Sequence, residues 1–386
     1  MNHTTKENKK DKEKKKFDYF IFAGEKSADV LGAHLIDEIL KKNPKAKILA
    51  VAGSEMRRKK IHELFSMEKF QVMGFIHIIK ALPKILFYFW KIKKTLLQTP
   101  IQKAIFIDSP DFALPLEKSL KKHHFSGQII HYVCPSVWAW RKGRIKTLEY
   151  SLDKLFVLFP FEKQCFSSEK LKVHYVGHPL LKKTQDHISS TQKDDKKWIG
   201  LFPGSRSKEI IKNLPYQLEA VRQLSQNPNY RFFISVSQEE KKPLIEKTIL
   251  KHAPKLFQSI TLIPFEKRYD LMSHLDLALA TSGTVNLELS FMKVPTIVHF
   301  AISKLDTFIA KNLLRINLPF YCIVNILADK EIFKELYGPN LSHKSLWEAI
   351  QNLLCEKKHY ECIENCKQIV KDFSDISNID ELNSII

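Results

Sequence analysis

The chain has 386 residues, 44% of them apolar with 26 phenylalanines, enough for two domains at roughly 150 residues each and too apolar for a disordered protein. Its formal net charge is +20, and the first sixteen residues, MNHTTKENKKDKEKKK, account for little of it, setting seven lysines against three acids. The rest suits anionic partners (nucleic acid, phosphorylated small molecules or an anionic membrane face), although a lysine-rich composition alone would also produce it.

Segment 1–16 lacks the apolar core of a signal peptide and is expected to be disordered. From Phe17 the pattern is strand, loop, helix. FDYFIFA ends at Gly24, an amphipathic helix follows from Ser27 to Lys41, and KILAVAG (47–53) reads as the next strand. No run of about 18 uninterrupted apolar residues follows, so no transmembrane helix is expected. Val72 to Leu97 is densely apolar but interrupted by Lys80, Pro83, Lys84 and Lys91. It reads as a helix lying in a membrane interface, with Phe87, Phe89 and Trp90 inserted, or as a buried core helix. Further strands are expected at AIFIDSPDF (104–112), QIIHYVCP (128–135), KLFVLFP (154–160) and VHYVGHP (173–179).

The polar stretch 182–197 reads as a linker, after which the alternation restarts. Strands are predicted at WIGLFPGSR, RFFISVS, SITLIPF, LDLALATSGT and PTIVHFA, with helices near 209–226 and 243–251 and a helical tail after Ile332. Short two-sided apolar strands alternating with helices indicate α/β architecture: two Rossmann-like, doubly wound domains at 17–181 and 198–335, with ligands beyond the carboxyl ends of the strands and a cleft between the domains. Helices at 336–386 complete the chain. Cys355, His359, Cys362 and Cys366 share one face there, which a straight helix cannot wrap around a metal. They read as packing, and the six cysteines as reduced cytosolic thiols.

Four strand-end motifs carry the chemistry. In LFPGSR, backbone N–H groups after Gly204 and the Arg206 guanidinium suit a phosphate, although an ordinary turn with a surface Arg reads the same. In ATSGTVNLELS, Ser282, Gly283 and Thr284 repeat that design, and Glu288, one turn on, suits ribose hydroxyls, or is a solvent Glu on a capped helix. In AIFIDSPDF, Asp108 and Asp111 stand where a general base would face a ligand, although Asp before Ser-Pro also starts turns. FAGEKSAD offers Glu25 and Ser27 at another strand-to-helix turn and is no Walker loop. No DxD cradle is present, so metal independence and no cofactor are expected. No RRM, zinc-finger or helix-turn-helix signature supports a nucleic-acid partner.

FAGEKSAD, VMGF, IDSPDF with Glu117 after it, HYVCPSVWAWR, FPFE, VGHP, PGSR, SGTVNLE and NILADKEIFKE run in order over about residues 20–335. In these the chain resembles the lipid-A-disaccharide synthase family, glycosyltransferases of lipid A assembly. The resemblance implies a GT-B architecture whose C-terminal helices return to the N-terminal domain. It implies inverting transfer from UDP-2,3-diacylglucosamine to 2,3-diacylglucosamine 1-phosphate, giving a β-1,6-linked disaccharide and UDP. It also implies a peripheral position on the cytoplasmic face of the inner membrane, and an oligomer is possible.

By position, Asp108 matches the essential aspartate and is the first choice for the base. Arg206, Ser282, Gly283, Thr284 and Glu288 match UDP-binding positions, and Glu25, Ser27 and Asn325 match polar cleft positions. Ser136 reads as cleft wall, with Trp138 and Trp140 as packing beneath it and Arg141, Lys142 and Arg144 facing phosphate or membrane. Ala28 stands where the family has a second Gly, His77 where relatives often have Glu, and YCIV where they often have Leu-Pro. The rival readings are another UDP-sugar enzyme, such as an epimerase or a soluble-acceptor transferase, and a nucleic-acid binder.

Overall fold

A computed structural model describes residues 16–70, 75–138, 142–189, 191–302 and 319–376. They fall into two compact units that divide between Val176 and Gly177.

The first unit is built on a seven-stranded sheet of parallel strands. Its strands are β1 (Phe17–Ala23), β2 (Ile48–Ala52), β3 (His62–Ser66), β4 (Ile101–Ile107), β5 (Gln128–Tyr132), β6 (Lys154–Val157) and β7 (Lys172–Tyr175), in the order β3-β2-β1-β4-β5-β6-β7. Apolar runs with no polar alternation make its central strands, because helices cover both faces. On one face Phe20, Phe22, Phe106, Ile129 and Leu155 pack with Leu116 and Leu120 of the helix Pro110–Lys122. On the other, Ile21, Ile105, Ile107, Ile130 and Phe156 pack with Leu35, Ile36 and Ile39 of the helix Lys26–Lys42.

The second unit has six parallel strands in the order β10-β9-β8-β11-β12-β13. They are β8 (Lys197–Phe202), β9 (Tyr230–Val236), β10 (Ile260–Pro264), β11 (Leu275–Thr281), β12 (Thr296–Phe300) and β13 (Lys334–Tyr337). One core lies under Ile210, Leu214 and Leu218 of the helix Ser207–Leu224, the other around Trp198, Phe233 and Leu289.

In each sheet the chain winds outward in both directions from one adjacent pair, β1/β4 and β8/β11. A crevice opens at the carboxyl ends of such a pair because successive crossovers leave it on opposite sides, and ligands of doubly wound sheets bind there. The turns at those four strand ends are FAGEKSAD, IDSPDF, PGSR and SGT.

Several expectations differ in detail. The third predicted strand begins at Ile101 and ends before Asp108, since Pro110 opens a helix. β3 and β13 were not predicted as strands. Residues 182–185 end a helix, Pro179–Gln185, that packs on the helix Val285–Phe291. Past it, Lys193 binds Asp276 at 2.6 Å and Asp194 accepts the Trp198 indole N–H at 2.7 Å, so the polar stretch read as a linker is tied into the second unit. Its polarity serves specific hydrogen bonds. The C-terminal helices His343–Leu354 and Glu356–Ile376 also pack on the second unit, through Phe373 on Phe291 and His359 on the Asp276 carbonyl. Residues 377–386 lie outside the described residues, as do 1–15, Val72–Gly74, Trp140 and Arg141.

The helix Phe75–Gln98 buries Tyr88, Ile92 and Leu96, one turn apart, against the first core. It exposes Leu82, Leu86, Phe87 and Trp90, the last at 60%, with Lys84, Lys91 and Lys94 beside them. Among the described residues no helix is long and apolar enough to cross a membrane.

Candidate active site

At the β1/β4 crevice the backbone itself is unusual. Asp108 and Ser109 follow β4 with φ of 51° and 53°, left-handed geometry that costs a non-glycine residue on the order of 1 kcal/mol each. The Asp108 N–H donates to the Tyr132 carbonyl of β5 at 2.9 Å, which fixes the turn. Opposite it, Gly24 has no room for a side chain, since a Cβ would lie 2.5 Å from Ser109 Oγ. The two strand ends are therefore pressed together.

This contact brings Glu25 to Asp108, and the two carboxyls share a hydrogen bond. Burial, then the Glu25 charge and that hydrogen bond, push Asp108 up from 3.8 to about 6, against His131 and the Ser109 N–H. Glu25 is exposed, accepts the Ser27 hydroxyl and begins the helix Lys26–Lys42. A carboxylate poised near neutrality at a strand end can take a proton from a bound hydroxyl.

Other predicted residues take different roles. Asp111 is exposed and ion-paired with Arg144, so that arginine is engaged by a carboxylate within the unit. Ser136 is exposed, between the buried Cys134 and Val137. Trp138 packs edge-on against Phe161 at 5.4 Å and touches Glu162, so the HYVCPSVW loop rests on the FPFE turn. Burial lifts Glu162 to about 7, although the N–H groups of Leu158 and Phe159 and the Trp138 indole favour its charge. Asp29 is fully buried and accepts N–H bonds from Gly53, Glu55 and Met56, pinning the start of the turn after β2. Ala28, the departure from the family's Gly, sits in the core with its methyl fully enclosed.

In the second unit the β8/β11 crevice is framed by Gly204–Arg206 and Ser282–Thr284. Gly204 adopts φ of 111°, and a Cβ there would meet the Glu209 carboxylate at 2.7 Å. Glu209 accepts the N–H groups of Ser205 and Arg206 and pairs with the Arg206 guanidinium at 3.0 Å. The donors expected to cradle phosphate are thus held by a carboxylate, although Arg206 remains 81% exposed. Gly283 faces open space and Thr284 is exposed, leaving that turn approachable.

Glu288 is buried. It accepts bonds from the Arg268 guanidinium at 3.0 Å and the Tyr269 hydroxyl at 2.6 Å, so its expected place on ribose hydroxyls is contested by a partner inside the unit. Asn325 is fully buried, and its amide is spent within the unit, mostly on the main chain. Oδ1 accepts from Ile332 and Phe333, and Nδ2 donates to the Phe333 carbonyl and to Glu335. It closes a loop where a cleft ligand was expected. Sequence reasoning passed over Arg268, and it quoted Glu117 and His131 only as parts of motifs.

Two tandem Rossmann-like units, each with polar turns at its switch point, make up the GT-B fold. A UDP-GlcNAc 2-epimerase from Neisseria meningitidis, solved with UDP-GlcNAc bound, shares the fold with a TM-score of 0.58 at 13% identity, covering 92% of this chain and 99% of that one. The family profile of lipid-A-disaccharide synthetase matches residues 19–382, and the chain belongs to that family. Lipid-A-disaccharide synthase of Chlamydia pneumoniae is 37% identical over 90% of this chain and 59% of its own length. That of Idiomarina loihiensis is 33% identical over 86% of this chain and 88% of its own. The chain thus spans about 60% of the length of the chlamydial relatives it matches.

Proposed function

We propose that the protein joins UDP-2,3-diacylglucosamine to 2,3-diacylglucosamine 1-phosphate, releasing UDP and forming a β-1,6-linked disaccharide. The observation that carries this reading is Asp108. It stands at the β1/β4 switch point, held in left-handed geometry, with its pKa raised to about 6. Near neutral pH it is ionised, yet basic enough to take the proton of the acceptor's 6-hydroxyl. That oxygen bonds to the donor's anomeric carbon from the face opposite UDP, the bond to UDP breaks, and UDP leaves with the electron pair. One displacement inverts the configuration with no covalent enzyme intermediate. Ser282, Gly283, Thr284 and Arg206 are the groups proposed to bind UDP in the second unit, with Arg206 turning from Glu209 to the diphosphate.

Both substrates are anionic and carry acyl chains. The exposed Leu82, Leu86, Phe87 and Trp90 with their lysines support a peripheral position on an anionic membrane surface. The test is Asp108→Asn: turnover falls by at least a hundredfold while UDP binding by calorimetry is retained. Turnover near that of the unaltered protein would remove Asp108 from the role of base.

A further inference from the structure

Asp108 does not stand alone. Behind it, inside an apolar layer, lies a pair of ionisable residues that the reaction as described does not use. His131 is on β5, in register with Phe106 of β4 and Leu155 of β6, and is fully buried. Glu117, on the helix Pro110–Lys122 packed over that face, is fully buried too. Its Oε1 meets His131 Nδ1 at 2.6 Å, and Glu117 Oε2 and His131 Nε2 are buried with no side-chain hydrogen-bond partner among the described residues. Their surroundings are Leu114, Leu116, Leu120, Ile129 and Leu155.

Such a pair is a poor device for stability, because desolvation offsets its attraction and hydrophobic residues of similar volume serve as well or better. Its location suggests another use. The residue after His131, Tyr132, accepts the Asp108 N–H, so β5 carries the imidazole and fixes the base's backbone together.

We propose that Glu117 and His131 are positioning residues for Asp108, a buried carboxylate–imidazolium pair that keeps the base ionised despite Glu25. This rests on the reading of Asp108 as the base. The groups acting on Asp108 are Glu25 from the β1 turn, which favours its protonation, and His131 from β5, which opposes it. Those acting on His131 are Glu117 from the helix above, Asp108 from the end of β4 and the main chain of Val133, just past β5. Burial alone would strip its proton, but Glu117, its hydrogen bond and Asp108 outweigh burial and raise its pKa. The neighbouring Tyr132 phenol is held neutral by burial.

The experiment compares pH profiles of kcat/KM for the unaltered protein, Glu117→Gln and His131→Gln, with UDP binding measured on each. Loss of the imidazolium raises the pKa of Asp108, so the acidic limb moves to higher pH. The variants fall at least threefold below the unaltered protein at pH 6, recover toward it at pH 8.5, and bind UDP equally. Superimposable profiles, or a loss uniform in pH, overturn the proposal, since a merely structural role gives the second. Should neither variant fold, nitrogen-15 NMR of labelled histidine in the unaltered protein decides. His131 is expected to hold its imidazolium above the ordinary imidazole value of about 6.5, and earlier deprotonation refutes the pair. Asp108→Asn separates the two readings. If it stays active the base assignment falls and this inference with it; if it is inactive while the profiles do not move, this inference alone falls.

Discussion

Replacing Asp108 by Asn should stabilise the protein while abolishing its turnover. In the folded unit the carboxyl titrates at about 6 against an ordinary 3.8, because it is buried beside Glu25. A folded-state pKa above the unfolded one means that the native state holds this proton more tightly. The resulting stability is complete below about pH 3.8 and is lost as pH rises through 6. Above that range the ionised carboxylate costs about 3 kcal/mol, at roughly 1.4 kcal/mol for each pH unit between the two values. Asn keeps the shape, carries no charge and tolerates left-handed backbone better than most residues, so φ of 51° adds no new strain. Urea unfolding at pH 8 is the assay. The variant's first unit should gain up to about 3 kcal/mol, or a melting temperature roughly 6 °C or more higher, with the gain shrinking toward zero near pH 4. A variant equally or less stable at pH 8 would refute the electrostatic account of the site.

Asn325→Ala should cost about 3 kcal/mol or more, because it leaves the buried N–H groups of Ile332 and Phe333 without an acceptor, and calorimetry of the second unit measures that loss. Glu288→Gln weakens the pairing of the buried Arg268, so thermal stability and UDP binding should fall together; loss of UDP binding at an unchanged melting temperature would return Glu288 to the ribose. Replacing both Phe87 and Trp90 by Ser should lower sedimentation with anionic vesicles at least tenfold while UDP binding is unchanged, and undiminished sedimentation would move the membrane contact elsewhere.

Much of the fold was legible because the central strands are buried on both faces and their apolar runs need no partner to be recognised. The two missed strands lie at sheet edges. HELFS carries His62 and Glu63 and KELY carries Lys334 and Glu335, and an edge strand has one side free to hold such residues. The candidate residues of the first crevice were picked out because they sit at strand ends: the β1 and β4 turns carry Glu25 and Asp108, and the strand order brings the two together. Buried polar residues were the hardest to place. Asn325, put in the cleft by the family resemblance alone, has its amide engaged by Ile332, Phe333 and Glu335. His131, in an apolar strand, carried no local signal at all, since its partner Glu117 is fourteen residues away on another element.

The central claim is the reaction. Purified protein given UDP-2,3-diacylglucosamine and 2,3-diacylglucosamine 1-phosphate in detergent micelles should release UDP in step with a disaccharide 1-phosphate seen by mass spectrometry. Neither product forming, or UDP appearing without the disaccharide, would contradict the account.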